Sequence, residues 1–400
     1  MHPAKKIRGT RSRKLEGKVI VLGITGSIAA VKCVELVREL IRHGAEVHPV
    51  MSDGAQGIVH PNSIEFASGV KPVTALDGQV PYIEMCGKDG RADLVLLAPA
   101  TSNTVSKIAA GIDDTPVTTY AQNALGSGKP ILIAPAMHET MYEQPIVQAN
   151  VAKLQSLGVE FVEPKMEEDK AKLADIEAIV AHVLRRLGPH DLDGKEVVVI
   201  AGGTSEPIDD VRVVTNRTSG ATGIELAKTA FERGGRVELW LGRHEVPPPP
   251  WIPVRPFETT AELLKMAADI ACDYCLVPAA ISDYAPVKRK GKVSTDKGRL
   301  SLELEPTPKV IEAIRKESAC TLVAFKAEFG VSKSERLKRA KDRMKRARAD
   351  FIVANDLGEV SRTHTHVTIL DARGRAKEFK GPKAEMAEFL WGVVLGAGRS

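Results

Sequence analysis

The stretch VIVLGITGSIAA, from Val19 to Ala30, decides the fold of the first half of the chain. Its aliphatic beginning predicts a buried β-strand, and the glycines and serine that follow predict a tight turn into a helix. Gly23 and Gly26 allow the backbone to approach a ligand, and Ser27 with the free amides of the helix start can hold an anion. The turn is not G-x-G-x-x-G, so it implies no dinucleotide. A tight turn without any ligand explains it equally well.

The same alternation of strand and helix continues outward from this stretch. It restarts in the second half with EVVVIAGGT, from Glu196 to Thr204, after a cluster of Gly, Pro and Asp at 187–194 that predicts a linker. Strands that alternate with helices predict parallel sheets covered on both faces, here in two α/β domains. The predicted strands are 19–22, 46–50, 94–98, 131–134, 160–162, 196–200, 236–241, 274–277, 321–325 and 351–353.

Composition limits the class of protein. The 400 residues are 43% hydrophobic and 27% charged, which is typical of a soluble globular protein and excludes a disordered or fibrous chain. No apolar run reaches the ~20 residues that span a bilayer, so we expect no membrane association. The net charge of +5 permits anionic small molecules without requiring nucleic acid. Five scattered cysteines predict no disulfide framework and indicate a cytoplasmic protein.

The N-terminal segment is basic, with six Lys/Arg and no acidic residue in its first fifteen positions. It has no apolar core, so it is not a secretory signal. We predict a solvated basic arm over residues 1–17. An Arg-rich transit peptide is the alternative.

Two further polar loops follow strands of the first half. They are APATSN, from Ala98 to Asn103, and APAMHETMY, from Ala134 to Tyr142. Open parallel sheets bind ligands at the carboxyl ends of their strands, so three such loops together are more specific than any one. A single His138 is most often structural, but in this position we interpret it as functional.

The motifs GITGSIA, APATSN and PAMHETMY together resemble the FMN-binding decarboxylases that act on 4′-phosphopantothenoylcysteine. The resemblance implies a flavodoxin-like flavoprotein domain over 18–187, with the FMN phosphate on the Gly26–Ser27 turn. In that family the flavin oxidises the cysteinyl thiol, CO2 leaves, and the reduced flavin returns the electrons. The implied cofactor-binding residues are Gly26, Ser27, Ile28, Ser52, Ala100, Thr101, Asn103 and Met137.

Three departures from that family concern its acid–base chemistry. The family's catalytic His is replaced by Tyr82, and a phenol with a reference pKa near ~10 is a poor base at pH 7. His138 stands where the family has Asn, a variant associated with archaeal-type members. The flap with a proton-donating Cys is expected to be absent, because 167–175 contains no thiol. His60 or His138 could substitute as the base, and Tyr82 and His138 are taken as the catalytic candidates of this domain.

The second half carries its own anion-binding pattern. TNRTSG, from Thr215 to Gly220, opens a predicted helix, and Asn216 can both donate and accept hydrogen bonds. Asp283 and Lys292 flank a later loop and could hold a nucleotide's ribose or base and its phosphates. Taken alone, these residues are equally compatible with ordinary turns and solvated charges.

Five motifs, GGTSEPID, TNRTSG, AAISDYAP, AFKAE and IVAND, resemble in that order the phosphopantothenate–cysteine ligases. The resemblance implies a Rossmann-like ligase domain over 195–400 that uses CTP, with a linker at 188–194. Asn216 is implied to hold the acyl-nucleotide intermediate, and Lys292 to act in catalysis. The implied nucleotide-binding residues are Gly203, Val277, Pro278, Ala279, Asp283, Lys292, Pro308, Lys309, Val310, Ile311 and Phe325.

The segment 333–348 is strongly basic, with nine Lys/Arg and two acidic residues on a predicted helix. We predict that Arg343 and Arg346 reach the triphosphate, with Mg²⁺ bridging it and no metal ligand assigned to the protein. A solvated basic face is the alternative. RNA binding is a lesser one, because no aromatic residue is interleaved. The pair Cys272 and Cys275 is interpreted as packed core thiols.

The order of the two domains resembles that of the bifunctional proteins of coenzyme A biosynthesis. The resemblance implies that 4′-phosphopantothenate, L-cysteine and CTP are substrates, and that the chain forms homo-oligomers. Trimer contacts are expected through the first domain and dimer contacts through the second. Two alternatives stay open. The first domain is a degenerate FMN-binding oligomerisation module beside an active ligase, or it is a related enzyme such as a flavin prenyltransferase.

Overall fold

A computed structural model describes residues 2–293 and 298–396 of the chain. It divides into two compact units, of which the first ends at Gly188 and the second begins at Pro189. No helix within these ranges is long and apolar enough to cross a membrane. In the same ranges, no group of three or more His, Cys, Asp or Glu side chains is placed to hold a metal ion.

A five-stranded parallel sheet forms the core of the first unit, in the order β2-β1-β3-β4-β6. The prediction of a parallel sheet from these five runs is confirmed. All seven residues of β3 are buried, because helices cover both faces of the sheet. The strands are β1 (Val19–Ile24), β2 (Glu46–Met51), β3 (Leu94–Ala100), β4 (Ile131–Pro135) and β6 (Glu160–Phe161).

Helices join these strands. In α2, the buried residues Cys33, Leu36, Val37, Leu40 and Ile41 recur at helical spacing and form the face that packs on the sheet. The single helix predicted from Ile28 is divided, because a 3₁₀ turn over Ile28–Lys32 precedes α2. The helices are α1 (Pro3–Lys6), α2 (Cys33–Arg42), α3 (Asp53–Gln56), α4 (Pro61–Ser68), α5 (Pro81–Cys86), α6 (Ser102–Ala110), α7 (Pro116–Ser127), α8 (Glu139–Glu143), α9 (Pro145–Ser156) and α10 (Ile176–Leu187).

A small antiparallel sheet follows β4. It contains β5 (Met137–His138), β7 (Lys165–Glu167) and β8 (Lys170–Lys172), in the order β5-β8-β7. The β7–β8 hairpin occupies part of the segment 167–175, in which a flap with a proton-donating Cys was not expected. The hairpin carries no thiol.

The N-terminal segment is packed onto the first unit, unlike the solvated arm expected from its composition. Leu15 is fully buried. The Gly9 amide donates to the Ile41 carbonyl at 3.0 Å and the Leu15 amide to the His43 carbonyl at 2.9 Å. Carbonyls at the end of a helix lack partners within the helix, and the segment supplies donors for those of α2.

The second unit is built on an eight-stranded sheet in the order β13-β12-β9-β14-β17-β18-β19-β20. The first six strands are parallel, and their chain order corresponds to 3-2-1-4-5-6, with the reversal between β9 and β14. The Rossmann-like prediction is therefore confirmed. The parallel strands are β9 (Glu196–Ala201), β12 (Arg236–Leu241), β13 (Val254–Pro256), β14 (Tyr274–Val277), β17 (Thr321–Glu328) and β18 (Phe351–Asp356).

An antiparallel hairpin that the sequence analysis did not predict extends this sheet. It consists of β19 (His364–Asp371) and β20 (Ala376–Pro382), and β19 pairs with β18. Two short ribbons stand apart from the sheet: β10 (Ser205–Pro207) with β11 (Val213–Thr215), and β15 (Tyr284–Pro286) with β16 (Leu304–Pro306). The helices are α11 (Ala221–Glu232), α12 (Thr260–Ala268), α13 (Val310–Glu317), α14 (Lys333–Ala347) and α15 (Lys383–Gly396).

Candidate active sites

Thr25, directly after β1, holds two loops of the first unit together. Its buried hydroxyl donates to the Pro99 carbonyl at 2.8 Å and accepts from the Thr101 amide at 3.0 Å. The Ala136 amide donates to the Ala100 carbonyl at 2.9 Å, so the loop after β4 joins the same edge. The sheet order reverses between β1 and β3, and parallel sheets bind ligands at such a point.

A pocket of about 950 Å³ opens at this edge. Its walls come from the loops after β1, β2, β3 and β4, so the three polar motifs of the first half converge as predicted from their positions. Ala100 does not line it, because its side chain is fully buried in β3. The predicted residues that do line the pocket are Gly26, Ser27, Ile28, Ser52, Thr101, Asn103, Met137 and His138.

The pocket fits a phosphate monoester attached to a flat ring. Ser27, Ser52 and Thr101 each begin a helix and accept a backbone amide, at 3.4, 3.4 and 3.3 Å respectively. A Cβ added at Gly26 would lie 3.1 Å from the Gly54 backbone, so glycine is what allows these two loops to touch. Amides and hydroxyls at helix starts suit a phosphate. The aliphatic side chains of Ile28 and Met137 supply apolar wall for a ring.

Tyr82 lies away from this pocket. It belongs to α5, is half-buried, and packs edge-to-face on Tyr120 with ring centroids 6.3 Å apart. It is not among the residues that line the pocket. The fold of a single chain therefore does not bring the two catalytic candidates of the first domain together.

His138 lines the pocket beside a lysine that the sequence analysis did not select. In the small sheet, His138 on β5 is the register partner of Lys170 on β8, and both line the pocket. Lys172 of the same hairpin also lines it, and its ammonium group lies 2.7 Å from the Glu168 carboxylate, which raises the pKa of Lys172. No sequence motif marked these lysines. They reach the pocket because β8 pairs with β5, and this pairing joins residues that are about 30 positions apart in the sequence.

In the second unit, two predicted residues, Gly203 and Asn216, lie in the loops where the strand order reverses. The Gly203 amide donates to the Arg243 carbonyl at 2.9 Å, and the Asn216 side-chain amide donates to the Ala280 carbonyl at 3.3 Å. Gly202 has φ +76°, and a Cβ there would lie 2.7 Å from the Arg243 carbonyl oxygen. Glycine is therefore required for the loops after β9 and β12 to come this close.

The segment Pro308–Ile311 is brought to Asp283 as the resemblance implied. The Lys309 ammonium group pairs with the Asp283 carboxylate. The Thr307 amide donates to the Asp283 carbonyl at 3.0 Å. Val310 and Ile311 begin α13 and are buried.

Phe325 is half-buried on β17, and the neighbouring Ala324 pairs with Val277 of β14. Val277 ends β14, and Pro278 and Ala279 directly follow it. The β14–β17 pairing therefore joins another group of predicted nucleotide residues.

Lys292 is exposed on a loop that two aspartates anchor. The Asp209 carboxylate accepts from the Val293 amide at 3.1 Å, and the Asp210 carboxylate accepts from the Gly291 amide at 2.8 Å. These anchors flank the lysine on both sides. Asp209 belongs to the motif GGTSEPID, but the sequence alone indicated no role for it, because Asp209 and Val293 are 84 positions apart.

The two arginines of the basic helix lie in its second half. The chain enters α14 from the carboxyl end of β17 and leaves it toward the start of β18, so late residues approach the amino edge of the sheet. Arg343 pairs with Glu312 of α13 at 3.2 Å. Arg346 is exposed in the last turn of the helix. The contact with Glu312 places Arg343 beside the first turn of α13, and the triphosphate role of both arginines stays a prediction.

Two family descriptions match the chain. Residues 8–188 match the family described as Flavoprotein. Residues 192–396 match the family described as DNA/pantothenate metabolism flavoprotein C-terminal domain.

Proteins with the name Coenzyme A biosynthesis bifunctional protein CoaBC are similar over nearly the whole chain. The protein from Thermococcus kodakarensis is 47% identical over 401 residues, covering 98% of this chain and 99% of its own. The protein from Methanocaldococcus jannaschii is 34% identical over 394 residues, covering 97% and 96%. The protein from Escherichia coli K12 is 32% identical over 368 residues, covering 86% and 87%.

Proposed function

The chain belongs to the family of bifunctional coenzyme A biosynthesis proteins, and from that premise we propose how its two units work. The protein is a bifunctional enzyme, with a flavoprotein decarboxylase domain followed by a ligase domain. Its second unit joins L-cysteine to 4′-phosphopantothenate, and its first unit decarboxylates the product to 4′-phosphopantetheine. The observation that carries this proposal is that seven of the eight residues expected to bind FMN line one pocket of the first unit.

The ligase step begins with activation of a carboxylate. The carboxylate of 4′-phosphopantothenate attacks the α-phosphate of CTP, and pyrophosphate leaves. The cysteine amine then attacks the acyl-cytidylate, which forms the amide and releases CMP. Mg²⁺ bound to the nucleotide would supply positive charge that offsets the charge of the triphosphate.

The protein's part in ligation is to position and stabilise these groups. The exposed Lys292 ammonium group balances the charge that develops on the phosphates. Asp283, held by Lys309, faces the ribose or base. Asn216 lies beside the glycine loop and can donate to the acyl-cytidylate while it also accepts.

FMN is the group we propose for the pocket of the first unit. When bound, it would supply a reversible two-electron acceptor for the substrate thiol. The Gly26–Ser27 turn and the Ser52 hydroxyl would hold its phosphate, and Thr101 and Asn103 would line its ring. Of the two catalytic candidates, His138 is the one that lines the pocket and can hold or move a proton there, because Tyr82 lies outside it.

The proposal also covers contacts between copies of the chain. We propose that the first unit forms trimers and the second forms dimers, in the cytoplasm. Ile28 and Val31 line the pocket and are 77% and 54% exposed, which is an apolar rim suited to contact with another copy. A neighbouring subunit at this rim would cover the mouth of the pocket.

One reaction tests both activities. The purified protein, with its visible spectrum recorded, receives 4′-phosphopantothenate, cysteine, CTP and Mg²⁺, and the products are identified by mass. We expect 4′-phosphopantetheine, lighter than 4′-phosphopantothenoylcysteine by one CO2. Accumulation of 4′-phosphopantothenoylcysteine by a yellow protein would instead identify an active ligase beside a degenerate FMN module. Formation of neither product would contradict the proposal as a whole.

Gly26→Val separates the two steps. A side chain there meets the Gly54 backbone, so we expect loss of bound flavin and of decarboxylation while ligation continues. Gly78→Val is the matched control, because nothing lies within 4 Å of a Cβ at Gly78. A Gly26→Val protein that keeps its flavin spectrum would contradict the placement of the phosphate.

A further inference from the structure

Cys272 and Cys275 meet Cys320, which lies 45 positions or more further along the chain, at one end of the second unit's sheet. Cys272 precedes β14, Cys275 lies within it, and Cys320 directly precedes β17. β14 and β17 are parallel neighbours, with Tyr274 opposite Thr321. All three cysteines are free and pack in one apolar cluster. The sequence analysis considered two of them and interpreted them as core thiols.

The backbone holds Cys272 and Cys320 side by side. The Thr321 amide donates to the Asp273 carbonyl at 2.8 Å, and each of these residues directly follows one of the two cysteines. Cys320 is held in turn by Arg315, whose guanidinium group donates to the Cys320 carbonyl at 3.0 Å. The pair therefore spans two adjacent, rigidly connected strand starts.

The three thiols lie close enough to shift one another's pKa. The neighbouring Cys272 and Cys275 thiols and the nearby Arg315 charge lower the pKa of the Cys320 thiol, whereas the pKa of Cys272 is raised to about 12. A thiol with a lowered pKa carries more thiolate, which is the form that attacks sulfur. Cys272 is half-buried, whereas Cys275 is fully buried, so Cys272 is the one that a small molecule reaches.

We propose that Cys272 and Cys320 form a reversible disulfide. A small disulfide such as oxidised glutathione reacts first with Cys272, which yields a mixed disulfide and one small thiol. The Cys320 thiolate then attacks the Cys272 sulfur and releases the second small thiol. The protein loses two protons and two electrons, and the small disulfide gains them.

This bond ties the starts of β14 and β17, and it closes the intervening chain that holds β15, β16 and α13. Such a closed loop restricts the unfolded chain and so favours the folded one. The opposite ends of the same two strands lead to Val277 and Phe325. The bond therefore stabilises the scaffold of the predicted nucleotide site without contacting that site, and we expect ligation to continue in the oxidised protein.

Oxidation of the full-length protein with oxidised glutathione tests the proposal. We expect the intact mass to fall by two hydrogens, and three of the five cysteines to remain open to alkylation after denaturation. Peptide mapping should yield one cross-linked pair that contains Cys272 and Cys320. The second unit's unfolding midpoint should rise by about 5–10 °C and return after reduction with dithiothreitol.

Single variants identify the pair. Cys272→Ser, at a half-buried position, should abolish the loss of two hydrogens and the rise in the unfolding midpoint. Cys320→Ala should abolish both as well, and its mass should instead rise by one glutathionyl group, because the mixed disulfide at Cys272 is not resolved. Cys86→Ala, in the other unit, is the matched control and should keep both. The proposal is overturned by five alkylatable cysteines after oxidation, by a cross-link that joins another pair, or by a mass change that persists in Cys272→Ser. Zinc that co-purifies with the thiols in stoichiometric amount would also overturn it.

Discussion

Lys292 is exposed, so its contribution to ligation comes from its contacts with the bound substrates. We expect Lys292→Ala to slow ligation about 100-fold, because a cation that stabilises developing phosphate charge is lost. Asn216→Ala should lower ligation as well. Each variant should still decarboxylate 4′-phosphopantothenoylcysteine supplied directly, which can be followed by mass.

Lys290→Ala is the matched control, since Lys290 is an exposed lysine of the same loop. It should keep ligation near the level of the unmodified protein. Unaltered ligation in Lys292→Ala or Asn216→Ala would show that these two residues do not have the roles assigned to them.

Asp209 acts on Lys292 through the backbone. Its buried carboxylate accepts amides from Val211 at 2.8 Å, Arg212 at 2.7 Å and Val293 at 3.1 Å, and the Val211 bond is the foremost cause of its lowered pKa. Asp209→Asn replaces one of the two accepting oxygens by an NH2 group, which cannot accept the amide that this oxygen binds. We expect the KM for CTP to rise about tenfold, with a smaller change in kcat.

Asp210→Asn tests how far this effect is specific to the buried anchor. Asp210 is exposed and pairs with Lys288 at 3.1 Å, so its replacement should change the KM for CTP less. Equal KM values for CTP in Asp209→Asn and in the unmodified protein would show that Asp209 does not position Lys292.

Tyr82 stands where related decarboxylases are expected to have histidine, and Tyr82→His distinguishes two explanations. The Tyr82 ring packs on Tyr120 and does not line the pocket of its own chain. We therefore expect the decarboxylation rate of Tyr82→His to stay within about twofold of the rate of the unmodified protein, because the change alters only local packing on Tyr120. A large gain in rate would instead mean that the tyrosine marks a degenerate site.

At the scale of elements, the N-terminal segment and α2 are joined through a buried histidine. His43 is 9% exposed, and its Nδ1 lies 2.7 Å from the Ser12 hydroxyl oxygen. Burial, together with the charges of Arg11 and Lys14, lowers the pKa of His43 to about 4. The neutral ring is therefore the form that the folded unit accommodates.

Acid should weaken this contact. The unfolded chain takes up the proton near pH 6.5 and the folded unit only near pH 4, so stability present above pH 6.5 is lost as the pH falls between these values. We expect the first unit to lose about 2 kcal/mol of unfolding free energy between pH 7 and pH 5. Urea titrations at both pH values measure it. His43→Phe should remove most of this dependence, and an unchanged pH dependence in that variant would contradict the assignment.

At the scale of the whole molecule, the apolar rim of the pocket predicts assembly. A chain of 43.1 kDa that trimerises through its first unit and dimerises through its second should sediment as a much larger particle. Ile28→Asp places a charge on this rim, so it should reduce the particle size and release flavin. Leu157→Asp, at another exposed aliphatic position of the same unit, is the control. A monomer of the unmodified protein that still binds FMN would contradict the trimer.

The sequence by itself determined the two α/β sheets and the loops that face their ligands. Strand patterns such as VIVLGI and EVVVIA are local, and a buried parallel strand needs little more than a short aliphatic run between turns. The glycine turns after β1 and β9 are local as well. Because parallel strands all point their carboxyl ends to one edge, the convergence of the polar loops followed from the order of the elements alone.

Only the tertiary structure decided which side chains share a site. The anchoring of Lys292 by Asp209, the pairing of His138 with Lys170, and the meeting of Cys320 with Cys272 each depend on how separate elements pack. The packing of Tyr82 on Tyr120, away from the pocket, has the same origin. Periodicity and turn chemistry describe neighbours along the chain. Contacts between distant positions form where burial and hydrogen bonding are best satisfied by the folded molecule as a whole.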